Sequence, residues 1–193
     1  MLVRKLREIL FPSESFCSDI RGLYAPKYTR GHLTLVPYSH LTVRTNIAQA
    51  KYDRNAAAII NLARVLDMYL TALTDQAIHI IPVPQHYHRW RERGFHHLVD
   101  ILQASNTIHQ VHTDIVTKNK HTKRQAHVDR VTRTEQQRGS FMCNSQKAQS
   151  LRGVILLFDD VYTTGSTMQA VQDELAPNLH PDTTLVCVAI ARS

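Results

Sequence analysis

Cysteine is scarce in this 193-residue chain: Cys17, Cys143 and Cys187 are far apart and odd in number. They supply neither a disulfide framework nor a CxxC metal knuckle. Cys187, inside LVCVAIA, reads as a small core residue. No apolar run approaches the ~20 residues that cross a bilayer. The opening MLVRKLREILFP interleaves basic and apolar residues and lacks the unbroken apolar core of a secretion signal. Its apolar positions follow helical spacing instead, and a cytoplasmic address is expected. Three signatures are also missing: the P-loop GxxxxGK with Ser or Thr, the dinucleotide GxGxxG, and the GxSxG nucleophile elbow. There is no internal repeat and no low-complexity linker.

What is present suits one compact soluble domain with a real core, since 43% of residues are hydrophobic and 20% charged. The net charge is +7, which favours anionic partners: a phosphorylated small molecule, nucleic acid or an acidic surface. Much of that charge sits in one stretch. Between 118 and 138 there are seven Lys and Arg against Asp129 and Glu135.

Residues 1–40 read as irregular after a first short helix, with Pro12, Gly22, Pro26, Gly31 and Pro37 as breakers. From Asp53 a helix is expected, capped by Asp53 or Asn55, with Ile59, Leu62, Leu66 and Leu73 on one face. IHIIPVP at 78–84 reads as a buried strand. A basic turn follows, then a helix with Phe95, Leu98, Val99 and Leu102 on one face. A strand is expected over 111–117. VILLF at 154–158 is a continuous apolar run, the mark of a strand covered on both faces. DDVYTTGST reads as a turn, followed by a helix with Met168, Val171 and Leu175 inward and a last strand over 185–191. Alternating strand and helix imply an α/β domain with a mainly parallel sheet, whose ligands bind beyond the carboxyl ends of strands.

DDVYTTGST occupies such an end. Asp159 and Asp160 close an apolar strand, and successive strand residues point to opposite faces, so both cannot be ordinary surface groups. A carboxylate there can accept hydrogen bonds from a ribose diol or help hold Mg²⁺. Thr163, Thr164, Gly165, Ser166 and Thr167 then open a helix, and a helix start with hydroxyls and a glycine makes a phosphate cradle. Either half alone could be a polar turn with an N-capped helix. The whole register points to ribose 5-phosphate.

VILLFDDVYTTGST resembles the diphosphoribose-binding signature of type I phosphoribosyltransferases, an apolar strand followed by D-D-x-x-T-T-G-x-T. Three further blocks are similar to the ComF (competence protein F, GntX-like) branch: residues 81–102 with RERGF, residues 118–141 with KNKHTKRQ, and VRTNIAQAKYDRN at 43–55. Together they span roughly 38–191 in the family's order. The resemblance implies a type I phosphoribosyltransferase-like fold with a basic flexible hood loop. It implies binding of phosphoribosyl diphosphate or a related ribose phosphate with Mg²⁺ as cofactor, Asp159 and Asp160 being catalytic, sugar-binding and indirect metal residues. It assigns Arg93 and Gly94, with Lys118, Lys120, Thr122 and Gln125 of the hood, to pyrophosphate. It also implies a homodimer and a link to competence and DNA uptake. The family's four-cysteine zinc ribbon is reduced here to Cys17, so 1–37 is expected as a degenerate N-terminal region and 38–193 as the phosphoribosyltransferase-like domain. The family's Asn-Gln after Gly-Phe is His96-His97, its two leading arginines are Lys118 and Lys120, and an expected Asn is Gln136.

Alternatives stand beside these assignments. The 118–138 block could be a solvated basic helix, and Arg89, Arg91 and Arg93 could pair with Glu92, Asp100 or water. Trp90 could stack a base, but reads rather as packing over its arginine neighbours. His86, His88, His96 and His97 read as solvated, with no third ligand at a zinc spacing. Two functions follow: an enzyme that transfers or hydrolyses a 5-phosphoribosyl group, acceptor unnamed, or a non-catalytic accessory that binds single-stranded DNA through phosphates.

Overall fold

The computed structural model describes residues 19–29, 31–73, 77–85, 91–118 and 139–193. Its centre is the apolar run of the last third. β7 (Gly153–Tyr162) is parallel to both neighbours, β3 (Ile78–Pro82) and β8 (Thr183–Arg192). Val154 through Phe158 are all buried, as a strand covered on both faces requires. β2 (His32–Pro37) adds in parallel to β8, β1 (Lys27–Thr29) antiparallel to β2, and β4 (Gln110–Val111) in parallel to β3. The order is therefore β1-β2-β8-β7-β3-β4. This is the expected α/β architecture with a mainly parallel central sheet and flanking helices.

α1 (Leu41–Asp53) and α2 (Ala56–Leu70) carry the chain from β2 across to β3, and α3 (His97–Gln103) leads from β3 towards β4. α5 (Ser166–Leu175) returns from β7 to β8 in the opposite direction. Right-handed crossovers put α1–α3 on one face and α5 on the other. Packing agrees, for α2 lies against both α1 and α3 while α5 lies against β7 and β6 (Phe141–Cys143). Connections leave β3 one way and β7 the other. The crevice between their carboxyl ends is thus the sheet's switch point.

Several expectations need correction. The strand expected at 154–158 runs on through Tyr162, so Asp159 and Asp160 are strand residues and the turn begins only at Thr163. Pairing with β8 carries it that far, with Asp159 opposite Ala189 and Tyr162 opposite Arg192. Residues 27–29 and 32–37, read as irregular, form β1 and β2, and β2 sits inside the main sheet. The strand expected over 111–117 is two pieces, β4 and β5 (Val116–Lys118), and β5 pairs with β6 in a separate two-stranded ladder. That ladder sets Lys118 opposite Phe141, on either side of the basic block. A short helix α4 (Ser145–Ser150) then precedes β7.

Asn55 caps α2 as expected, accepting from the Ala58 amide at 3.0 Å. Before it, Arg54 takes a left-handed conformation (φ 50°) that ends α1 and turns the chain into α2. Its guanidinium meets Asp100 of α3 in two parallel bonds of 2.9 and 3.1 Å and lies over the Phe95 ring. Asp67 of α2 in turn accepts from Ser105, Thr107 and the Asn106 amide, holding the turn after α3. Among the described residues no helix is long and apolar enough to cross a membrane.

Leu66 of α2 is fully buried in the core. Leu66→Ala should cost about 2–5 kcal/mol, read as a lower urea midpoint at unchanged slope.

Candidate functional site

Alternation along β7 sends its two acids to opposite faces. Asp160 points to the α1–α3 side and is 4% exposed. Its Oδ2 accepts from Lys51 Nζ at 2.7 Å and from His97 Nε2 at 2.9 Å. An ionised carboxylate can only accept, so His97 Nε2 donates to it, while Nδ1 meets the Gln85 side-chain amide at 2.6 Å. A chain of polar groups therefore runs Gln85–His97–Asp160–Lys51 and joins the loop after β3, α3, β7 and the last turn of α1. Burial alone would push the Asp160 carboxyl up. The His97 hydrogen bond and the Lys51 charge outweigh it and hold it below the ordinary carboxylate range.

Asp159 faces the α5 side and is only half-buried. Its Oδ1 accepts from the Asp160 amide at 2.8 Å. Burial, then the Asp160 charge beside it, push its carboxyl well above the ordinary value. With Val161, Tyr162, Met168 and the whole of Thr163–Thr167 it lines one concave cradle. Gly165 makes that cradle. It has φ +75°, and a Cβ there would lie 2.5 Å from the Tyr162 ring, so both conformation and space demand glycine. It caps α5, with its carbonyl accepting from the Gln169 amide, while the Thr164 and Ser166 hydroxyls bond each other at 3.0 Å. The leading amides of a helix have no partner within it, and its dipole there favours an anion.

The structure thus gathers Asp159, Thr163, Thr164, Gly165, Ser166 and Thr167 around one hollow and puts Asp160 behind it. Arg93 and Gly94 lie between β3 and α3, Arg93 closing a helical turn over 91–93. The Arg93 guanidinium is 4.8 Å from the centre of the Tyr52 ring, and Gly94 has φ +74°. Of the partners weighed for these arginines, Asp100 is taken by Arg54. Lys118 ends β5 with its ammonium over Phe141. Lys120, Thr122 and Gln125, like Cys17, His86, His88, Arg89 and Trp90, lie outside the described residues.

Two residues were misread and one overlooked. His97 is 4% exposed, not solvated, because α3 begins at it and presses it onto Asp160. His96 is largely buried too, and its Nδ1, like Gln85 Oε1, has no partner among the described residues. In the sequence Lys51 stands out only as part of VRTNIAQAKYDRN. Nothing local announces its partner, which lies 109 residues on.

Among the described residues no three His, Cys, Asp or Glu side chains gather to ligate a metal. Mg²⁺ commonly takes one or two carboxylates and keeps water and substrate phosphates for the rest. A half-buried Asp159 beside threonine hydroxyls fits a cation that arrives with a diphosphate, not a resident one.

No protein-family model matches the chain, and no curated protein matches it. Solved structures are similar at a coarse level. A hypoxanthine phosphoribosyltransferase from Staphylococcus aureus, in its orthorhombic form, is 11% identical over 70% of this chain and 73% of its own, with a TM-score of 0.39. Its tetragonal form is 9% identical over 70% and 72%, with a TM-score of 0.43. An allosteric regulatory enzyme of purine biosynthesis is 11% identical over 72% of this chain but 29% of its own, with a TM-score of 0.39. Likeness this loose says nothing of what the chain binds.

Gly165→Ala should place a side chain in a left-handed conformation at about 1–2 kcal/mol and displace the Tyr162 ring as well. A melting temperature lower by about 2–8 °C is the expected reading. Asp159 and His96 set opposing pH slopes. Burial, then the His97 charge, push the His96 imidazole from 6.5 down to about 4, so its contribution is full above 6.5 and lost as pH falls towards 4. Asp159 is raised from 3.8, so folding takes up a proton and its contribution is lost as pH rises from 3.8 through the raised value. In denaturant titrations across that range, His96→Gln should remove the rising slope and Asp159→Asn the falling one.

Proposed function

We propose that the chain binds 5-phosphoribosyl 1-diphosphate together with Mg²⁺ at the carboxyl end of β7, as a phosphoribosyltransferase-like protein. One observation carries this: the Gly165 cap folds four hydroxyl side chains and the start of α5 around a hollow whose other wall is a half-buried carboxylate. Phosphate suits the hydroxyl and amide side, and a vicinal diol suits Asp159. The hollow lies at the end of the strand that borders the sheet's switch point, where parallel sheets bind ligands.

The roles divide by chemistry. Thr163–Thr167 hold the 5-phosphate and fix the sugar's orientation. Asp159 takes the ribose hydroxyls or the cation's water shell. When bound, Mg²⁺ neutralises charge on the diphosphate and so makes it a better leaving group. Arg93 after β3 and Lys118 and Lys120 of the basic block supply the positive charge that leaving group needs, with Thr122 and Gln125 as hydrogen-bond donors. Displacement at the sugar's C1 transfers the ribosyl group to an acceptor or to water. A role in DNA uptake and assembly as a homodimer belong to the same proposal.

Calorimetry with phosphoribosyl diphosphate and Mg²⁺ tests it. Wild type should release heat, ribose 5-phosphate should compete, and chelating the cation should weaken binding. Thr164→Ala/Ser166→Ala should raise Kd by about tenfold, the scale of losing a hydrogen bond to a charged group. Absence of heat with the wild-type chain would sink the reading. The +7 charge makes single-stranded DNA the second probe, and affinity that collapses with added salt would favour the accessory role instead.

A further inference from the structure

Two adjacent carboxylates invite the assumption that both serve the ligand. Their surroundings differ too much for that. The Asp160 carboxylate is covered by the last turn of α1 and the first residue of α3, and its side chain is 5% exposed. Its Oδ2 is shared by an ammonium at 2.7 Å and an imidazole N–H at 2.9 Å, from side chains only 21% and 4% exposed. His97 is itself steadied from behind by Gln85. Asp159 has no such cover. It lies on the other face of β7 and lines the hollow with Thr163–Thr167.

Resting on the ribose-phosphate reading above, we infer that the two acids divide the work. Asp160 is a positioning residue, a buried counter-ion pinning Lys51 and His97, and Asp159 is the acid of the pair that meets the sugar or its cation.

The physical consequence is an asymmetric pair. A carboxylate beside a lysine and an imidazole donor keeps its charge, and that charge bears on its neighbour one residue away. Lys51, Asp160 and His97 also lock together α1, β7 and α3, the elements that frame the face behind the hollow. Breaking one partner leaves a buried charge uncompensated, whereas removing two together is milder.

The test uses the full chain and four variants: Asp159→Asn, Asp160→Asn, Lys51→Met and the double Lys51→Met/Asp160→Asn. Binding of phosphoribosyl diphosphate with Mg²⁺ should weaken about tenfold or more in Asp159→Asn and only a few-fold in Asp160→Asn. Asp160→Asn should melt about 5–15 °C lower, and the double variant should recover part of that loss. A third readout separates positioning from bulk structure: the His97 ring-nitrogen shifts should move in Asp160→Asn and stay in place in Asp159→Asn. Equal loss of binding in the two single variants, measured where both are folded, would overturn the division. So would strictly additive melts or unmoved His97 shifts in Asp160→Asn. If wild type binds nothing, the ribose-phosphate reading falls and the ligand role of Asp159 with it. The melts and the shifts need no ligand and still decide the counter-ion role.

Discussion

A single carboxylate, Asp160, ties the chain's distant parts together. It sits where β7 emerges from the apolar core, and it draws onto itself Lys51 from the end of α1 and His97 from the start of α3. An unpaired charge at 4% exposure would be prohibitively costly, so the two helices must end and begin where they do. The adjoining contacts repeat the pattern: Tyr52 lies under Arg93, and Arg54 grips Asp100 and covers Phe95. Two of the four positions from 51 to 54, Tyr52 and Arg54, thus fasten the segment 93–100 directly, and Lys51 reaches it through Asp160.

On the other face of the same strand the constraint is conformational. Only glycine fits at 165, and with glycine there the chain can leave β7, pass close over the Tyr162 ring and enter α5 within three residues. The ring is fixed in its turn by His32 of β2, with centroids 4.7 Å apart. The hollow is therefore floored by the sheet and walled by a helix start. Polar and charged groups of one strand end are sorted by face: paired and buried behind, open and hydroxyl-rich in front.

The parts legible in the sequence were those where one physical rule dominates. β7 and β8 declared themselves as unbroken apolar runs because strands covered on both faces must be apolar. α2 did so through Ile59, Leu62 and Leu66 and the Asn55 cap. The hydroxyl hollow could be read because all its residues are contiguous. α1 could not. Thr45, Asn46 and Gln49 are buried beside Val43, Ile47 and Ala50, so its buried face mixes polar with apolar and shows no stripe. Asn46 answers Asn61 of α2 at 3.1 Å, a pairing that satisfies both but leaves no periodicity to detect. β2 was masked by the glycine and prolines around it. Lys51 and His97 were invisible as partners because what makes them matter is a contact across the fold, and a histidine beside Gly-Phe looks the same whether buried or wet.

The strand order has a consequence for how the chain is made. β2 is written early and its parallel partner β8 last, with His32 finally opposite Cys187. Until β8 is synthesised, β2 has only the three-residue β1 as a strand partner, beside its residues 32–34, and the edge destined for β8 stays open. Parallel pairing over such a span forms slowly and leaves apolar backbone available to other chains meanwhile. β7, α5 and β8 by contrast are contiguous, with the acids and the hydroxyl turn between them. The segment from β7 through β8 therefore closes the sheet and builds the hollow in one step, so the hydroxyl-lined hollow and the sheet's protection from self-association arrive together.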